Sequence, residues 1–138
     1  MGKILAIDYG KARCGIAETD DMQIIASGLE TVETKNIFDF LKKYFSKNHV
    51  ESIVVGLPID LKGNLSEIEQ EILKFIAQFK TEFPAIKVYR LDERFTSKMA
   101  SFFISQSGKS KKKREEKGLI DKVSATIILQ NFLEQKQI

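Results

Sequence analysis

KILAIDYGKARCGIAETD, residues 3–20, sets the frame of the fold. Its opening, KILAID at 3–8, reads as a buried strand that ends on Asp8. Gly10 and Gly15 bracket a tight turn into a second run from Cys14 to Glu18. Asp20 and Asp21 then mark another turn, and Met22 to Thr31 reads as a third extended segment with Gly28 as a bulge. Three short strands with tight connections predict an antiparallel meander.

Beyond residue 36 the period changes. Ile37, Phe38, Leu41, Tyr44 and Phe45 recur at helical spacing, and Ile53-Val54-Val55 follow as a short apolar strand closed by Gly56-Leu57-Pro58. Ser66 with Glu69 three residues on predicts a capping box. The helix it opens carries Ile68, Ile72, Phe75, Ile76, Phe79 and Phe83 on one stripe, and Pro84 helps stop it. Lys87 to Leu91 reads as a strand ending at Asp92, and Thr96 as the N-cap of a helix containing Met99, Ala100, Phe102 and Phe103. A final helix is expected from about Ile120 to Gln135, its apolar face supplied by Val123, Ile127, Ile128 and Leu133, with Ala125 and Phe132 alongside. The element order β-β-β-α-β-α-β-α-α gives an α/β fold in which parallel crossovers follow an antiparallel edge.

The whole-chain numbers bound the function classes. A chain of 138 residues is read as one domain spanning 1–138, with 43% hydrophobic and 30% charged residues as in ordinary globular proteins. A single cysteine, Cys14, excludes an internal disulfide framework, and no Cys/His spacing suggests zinc. The N-terminal MGKILAID does not have the form of a signal peptide, and no apolar run approaches the roughly 18 residues of a membrane span. The expected compartment is the cytoplasm. The net charge of +3 is mild, but KSKKKREEK at 109–117 concentrates Lys109, Lys111, Lys112, Lys113, Arg114 and Lys117 in what reads as a polar loop. Such a run is either a solvated loop or an attractor for a polyanion.

Acidic residues stand where chain elements change direction: Asp8 ends a strand, Asp92-Glu93 end another, and Asp121 opens the last helix. Carboxylates brought to one spot repel unless a cation sits between them, and hard cations want oxygen ligands. Each string also has a simpler structural reading. Asp8-Tyr9-Gly10 fits a hairpin turn capped by its own Asp; Asp92-Glu93-Arg94-Phe95-Thr96 fits an Arg–carboxylate pair followed by a helix cap. An acid in a helix's first turn suits the helix dipole whatever its function. Gly56-Leu57-Pro58, running to Gly63 and Ser66, joins a core strand to a capped helix, whose N-terminus attracts anions. Gly108-Lys109-Ser110 is no P-loop, since Phe103 occupies the position of the required first glycine. Cys14 and His49 form no nucleophile–base pattern.

Together these strings resemble the YqgF, or RuvX-type, family of Holliday-junction-resolvase-like proteins. The likeness runs through ILAIDYG…GIAETD at 4–20, IVVGLP…KGNLSE at 53–67, VYRLDERFTS at 88–97 and KKREEKGLIDKVSATIILQNFLE at 112–134. It implies a ribonuclease H-like fold, a five-stranded mixed sheet with helices on both faces. It also implies a nuclease of ribosomal RNA maturation, trimming the 5′ end of the 16S rRNA precursor. By the resemblance Asp8 is the first-strand acid, Glu93 or Asp92 the fifth-strand acid, and Asp121 the final-helix acid. The resolvases proper carry their second acid on the fourth strand, which here ends in Gly56. The chain departs from the family pattern at Lys11-Ala12-Arg13, where a Lys-Arg pair is usual, and at Lys62, where an acid is usual and Asp60 is nearby.

The expected chemistry is two-metal phosphodiester hydrolysis with Mg²⁺ or Mn²⁺. The ligands would be Asp8, Glu93 and Asp121, with Asp92 the alternative to Glu93. Arg13, Arg94, Thr96, Lys111, Lys112, Lys113 and Arg114 would hold the nucleic-acid backbone, which gives affinity but little sequence choice. An RNA precursor is the favoured substrate, and branched DNA or a non-catalytic RNA-binding module are the alternatives. The protein is expected to act away from membranes, as a monomer or homodimer. A DxG turn also opens the phosphate site of actin-like ATPases, but those close two such domains around the nucleotide.

Overall fold

The computed structural model describes residues 2–59, 62, 63, 65–92 and 113–136, with the backbone alone used for 113–121 and 136. Its strands are β1 Lys3–Asp8, β2 Arg13–Thr19, β3 Ala26–Glu33, β4 Val50–Leu57 and β5 Lys87–Asp92; its α-helices are α1 Ile37–Lys47, α2 Ile68–Glu82 and α3 Lys113–Lys136. The strands form a mixed sheet in the order β3-β2-β1-β4-β5. β1 pairs antiparallel with β2, and β2 with β3. β1 pairs parallel with β4, and β4 with β5. The antiparallel edge and the parallel crossovers expected from the sequence are both present. The helix expected after Thr96 lies outside the described residues.

Alternation along the strands divides the core in two. Leu5, Ile7, Cys14, Ile16, Ile53 and Val55 point to one face, where Leu41 of α1 and Ile72, Phe75 and Phe79 of α2 cover them. Ile4, Ala6, Ala17, Val54 and Leu91 point to the other face and meet Ala125, Ile128, Leu129 and Leu133 of α3. Helices therefore cover both faces of the sheet.

α3 crosses the strands rather than running along them. Tyr89, Val54, Ala6, Ala17 and Gly28 are successive partners across the sheet. The Tyr89 ring packs on Phe132 at 5.2 Å between centroids, while Lys122 and Thr126 lie over Gly28 at the opposite end of the row. Ten helical residues span about 15 Å and four inter-strand gaps about 19 Å, so the helix reaches across nearly the whole row. The packing there is close: a Cβ at position 28 would stand 3.1 Å from Thr126 Oγ1. The expected bulge falls beside it: Ile16 pairs with Glu30 and Ala17 with Gly28, which leaves Leu29 as the extra residue.

Several sequence expectations are corrected. The third strand begins at Ala26, not Met22. Gln23 adopts φ 58, and the Asp20 carboxylate accepts hydrogen bonds from the Ile24 and Ile25 amides at 2.7 and 2.9 Å. That cap closes a turn where an extended chain was expected and leaves Met22, Ile24 and Ile25 exposed. The capping box at Ser66 does not form. The Ser66 amide donates to the Pro58 carbonyl, and the Glu69 carboxylate turns to Arg90. The last helix starts at Lys113, so residues 113–117 of the expected basic loop are helical. Glu115, Glu116 and Lys117 are good helix formers, and their polarity hid the helix because its apolar stripe begins later.

The Asp20 cap carries a pH prediction. Hydrogen bonds from Ile25 and then Ile24 hold its pKa below the ordinary 3.8. A folded pKa below the unfolded one means the cap is intact above the ordinary carboxylate value and is lost as pH falls through the lowered one. The Ile24 and Ile25 amide resonances should therefore hold steady down to pH 4 and move only below it. Movement already complete at pH 5 would contradict the cap.

Candidate active site at the C-terminal edge of the parallel strands

β1, β4 and β5 run parallel, so their C-terminal ends share one edge of the sheet. The chain leaves β1 toward β2 on one side and leaves β4 by way of α2 toward β5 on the other. Open α/β sheets bind ligands outside such an edge, where the connections diverge.

Asp8 is the last residue of β1 and pairs with Gly15 of β2. Ile4 and Ala6 face α3, and alternation puts half-buried Asp8 on that same face. Arg13 opens β2 in the same alternation as Gly15 and Ala17, so it too belongs to the α3 face. The turn between them is tight: a Cβ on Gly10 would stand 2.4 Å from the Arg13 carbonyl oxygen, and the Gly10 carbonyl accepts from Thr34 Oγ1 at 2.6 Å. Only glycine permits this close approach.

Asp92 ends β5 opposite Leu57, two strands from Asp8 or about 10 Å across the ladder. Tyr89 and Leu91 face α3, whereas Val88 and Arg90 face α2. Asp92 follows Arg90 in that alternation. The acids ending β1 and β5 thus share an edge but stand on opposite faces of the sheet.

Asp121 lies eight residues inside α3, since the helix begins at Lys113. The helix dipole acts within the first turn, so it does not account for an acid there. By helical spacing Asp121 precedes Ala125 and Ile128, both buried against the sheet, by one and two turns. Lys113 and Arg114 occupy the first turn of α3. Glu93, Arg94, Thr96, Lys111 and Lys112 lie outside the described residues. Among the described residues no group of three or more His, Cys, Asp or Glu side chains gathers to hold a metal. What they offer is the Asp8 carboxylate, an oxygen donor of the kind hard cations take, on the face that α3 covers.

Sequence reasoning passed over Arg90 and Glu69. Arg90 forms a bidentate pair with the buried Glu69 carboxylate at 2.9 and 2.6 Å. Its Nε and second terminal nitrogen also donate to the Val55 and Gly56 carbonyls at 3.2 and 3.0 Å. One guanidinium thus ties the first turn of α2 to the ends of β4 and β5. A charged residue between Tyr89 and Leu91 was the only signal, and Glu69 had already been assigned to the capping box.

The comparisons with known proteins come down on these strands and helices. A family model described as "RuvX: Holliday junction resolvase" matches residues 2–135. The chain belongs to the RuvX family. A Flavobacterium johnsoniae protein is 53% identical over 137 residues, covering 99% of both chains. Proteins of Bacteroides fragilis and Porphyromonas gingivalis are 45% and 47% identical over 138 and 134 residues, covering all and 97% of both chains respectively. All three carry the name "Putative pre-16S rRNA nuclease". RuvX proteins are a nuclease and resolvase family, whose substrates are nucleic acids and whose chemistry in general runs on divalent cations. No helix among the described residues is long and apolar enough to cross a membrane.

Proposed function

We propose that this RuvX protein is a metal-dependent nuclease that hydrolyses a phosphodiester bond of the 16S rRNA precursor during 5′-end maturation, in the cytoplasm. The observation that carries the reading is the placement of Asp8: it ends the central strand on the face spanned by α3, the helix that bears Asp121. The relatives' names supply the substrate. Asp8 and Asp121 are the proposed ligands from this face. Glu93 is preferred over Asp92 as their partner, because the alternation of β5 assigns Asp92 to the α2 face. These acids would hold Mg²⁺ or Mn²⁺, which would supply Lewis acidity for phosphodiester hydrolysis.

In the reaction a water oxygen bonds to phosphorus, the P–O ester bond breaks, and the leaving oxygen takes up a proton. The chain's own residues position the phosphate. Arg13 stands beside Asp8 on the α3 face, and Arg94, Thr96, Lys111, Lys112, Lys113 and Arg114 are assigned to backbone contacts. A single domain spanning residues 1–138 acts as a monomer or homodimer.

The description "Holliday junction resolvase" favours a second reading, cleavage of branched DNA. Incubating the purified protein with precursor RNA, linear DNA and four-way junctions, with and without Mn²⁺, separates the two. The expected result is Mn²⁺-dependent cleavage of the RNA alone. Cleavage of the junction in its place would establish the resolvase reading. Absence of cleavage together with absence of Mn²⁺ binding would leave an RNA-binding module.

A further inference from the structure

Asp8 and Tyr9 are consecutive, yet they serve opposite sides of the sheet. Tyr9 packs on Phe75 of α2, with ring centroids 5.1 Å apart. Between the Tyr9–Lys11 turn and the start of α2 runs a groove of about 770 Å³. That volume suits a nucleotide-sized ligand. Its lining residues include Tyr9, Gln70 and Glu71, with Lys11 and Lys74 as cations among the described residues.

The charge pattern narrows the occupant. Among the described residues Lys11 and Lys74 are matched by Glu67 and Glu71 in the same groove, so a bare phosphate would meet as much repulsion as attraction from them. An aromatic ring beside a carboxylate acceptor and an amide is instead the complement of a nucleobase edge. A carboxylate accepts from an exocyclic amine such as cytosine N4, and single-stranded bases stack on aromatic side chains.

We infer that this groove is a subsite for one unpaired nucleobase bearing an exocyclic amine, contributed by a nucleotide adjacent to the bond cut at the Asp8 edge. The inference rests on the nuclease reading for its location beside the cut, and it adds a preference for single strands. Tyr9 supplies the stacking surface, Glu71 accepts from the amine, and Gln70 meets a second polar position of the base edge. A base inside a duplex is stacked and paired on both sides and cannot enter without being extruded.

The test is binding, read without cleavage. A non-hydrolysable single-stranded RNA carrying 2-aminopurine at one position at a time is titrated with the full chain. Quenching should appear at one position and be lost in Tyr9→Leu and in Glu71→Ala. Unlabelled cytidine tracts should compete about tenfold better than uridine tracts, which lack the amine. Glu71→Ala should also raise KM for a single-stranded substrate about tenfold while leaving kcat and the Mn²⁺ requirement unchanged. Tyr9→Leu removes a ring that packs on Phe75, so the exposed Glu71→Ala variant keeps the test independent of folding. Quenching at no position, or quenching that survives in Glu71→Ala, overturns the subsite. Quenching without Mn²⁺-dependent cleavage by the unaltered protein keeps the subsite and sinks the nuclease reading.

Discussion

Asp8→Asn is expected to abolish Mn²⁺-dependent cleavage while the far-ultraviolet circular dichroism of the protein stays unchanged. The substitution keeps size and shape, removes the negative charge and turns one acceptor oxygen into an amide donor. Changing a residue that merely orients a metal ligand already costs about 10- to 100-fold, so loss of a direct ligand should exceed a hundredfold. The fold should survive because the carboxylate follows the buried residues of β1 and is not among them. Manganese binding measured by calorimetry should weaken in parallel. Undiminished cleavage by the variant would remove Asp8 from the chemistry, and an unfolded variant would show that the carboxylate holds the β1–β2 turn.

The second large effect is on stability. Glu69→Ala should cost about 3 kcal/mol, or roughly 10 °C in Tm, because it strands the Arg90 guanidinium against the sheet. The figure is the low end of the range for buried pairs, since the Arg90 side chain keeps 23% of its surface exposed. The double variant Glu69→Leu with Arg90→Leu should recover most of the loss, because apolar residues replace buried ion pairs at little cost. It should not recover all of it, since the Val55 and Gly56 carbonyls lose their donors. Thermal unfolding of the two variants decides the point. A Glu69→Ala protein as stable as the original would mean that water replaces the pair without penalty.

What was legible in the chain followed from periodicity and turn chemistry. KILAID alternates strictly between two apolar faces, and its partner strand mirrors it residue by residue through Asp8–Gly15 and Ala6–Ala17. The β-branched run at 53–55 left little choice but a central strand. Boundaries failed where side chains made long-range bonds. Glu69 looked like a cap because Ser66 stood three residues before it, and nothing local announced Arg90, 21 residues away. Met22 to Ile25 looked extended by composition, yet one carboxylate at Asp20 was enough to fold the segment into a turn. Of the candidate site, Asp8 was legible because a strand end and a glycine frame it. The opposite facing of Asp8 and Asp92 was not, because it depends on register across three strands rather than on any local string.

The transverse course of α3 bears on how this chain comes off the ribosome. Ile4 and Ala6 are made more than a hundred residues ahead of their cover, Ala125 to Leu133. Until then Ile4, Ala6, Ala17 and Val54 lack the cover that α3 gives them, and exposed apolar surface on a nascent chain is prone to stick. Closure of this face therefore waits on a helix made more than a hundred residues after the strand it covers.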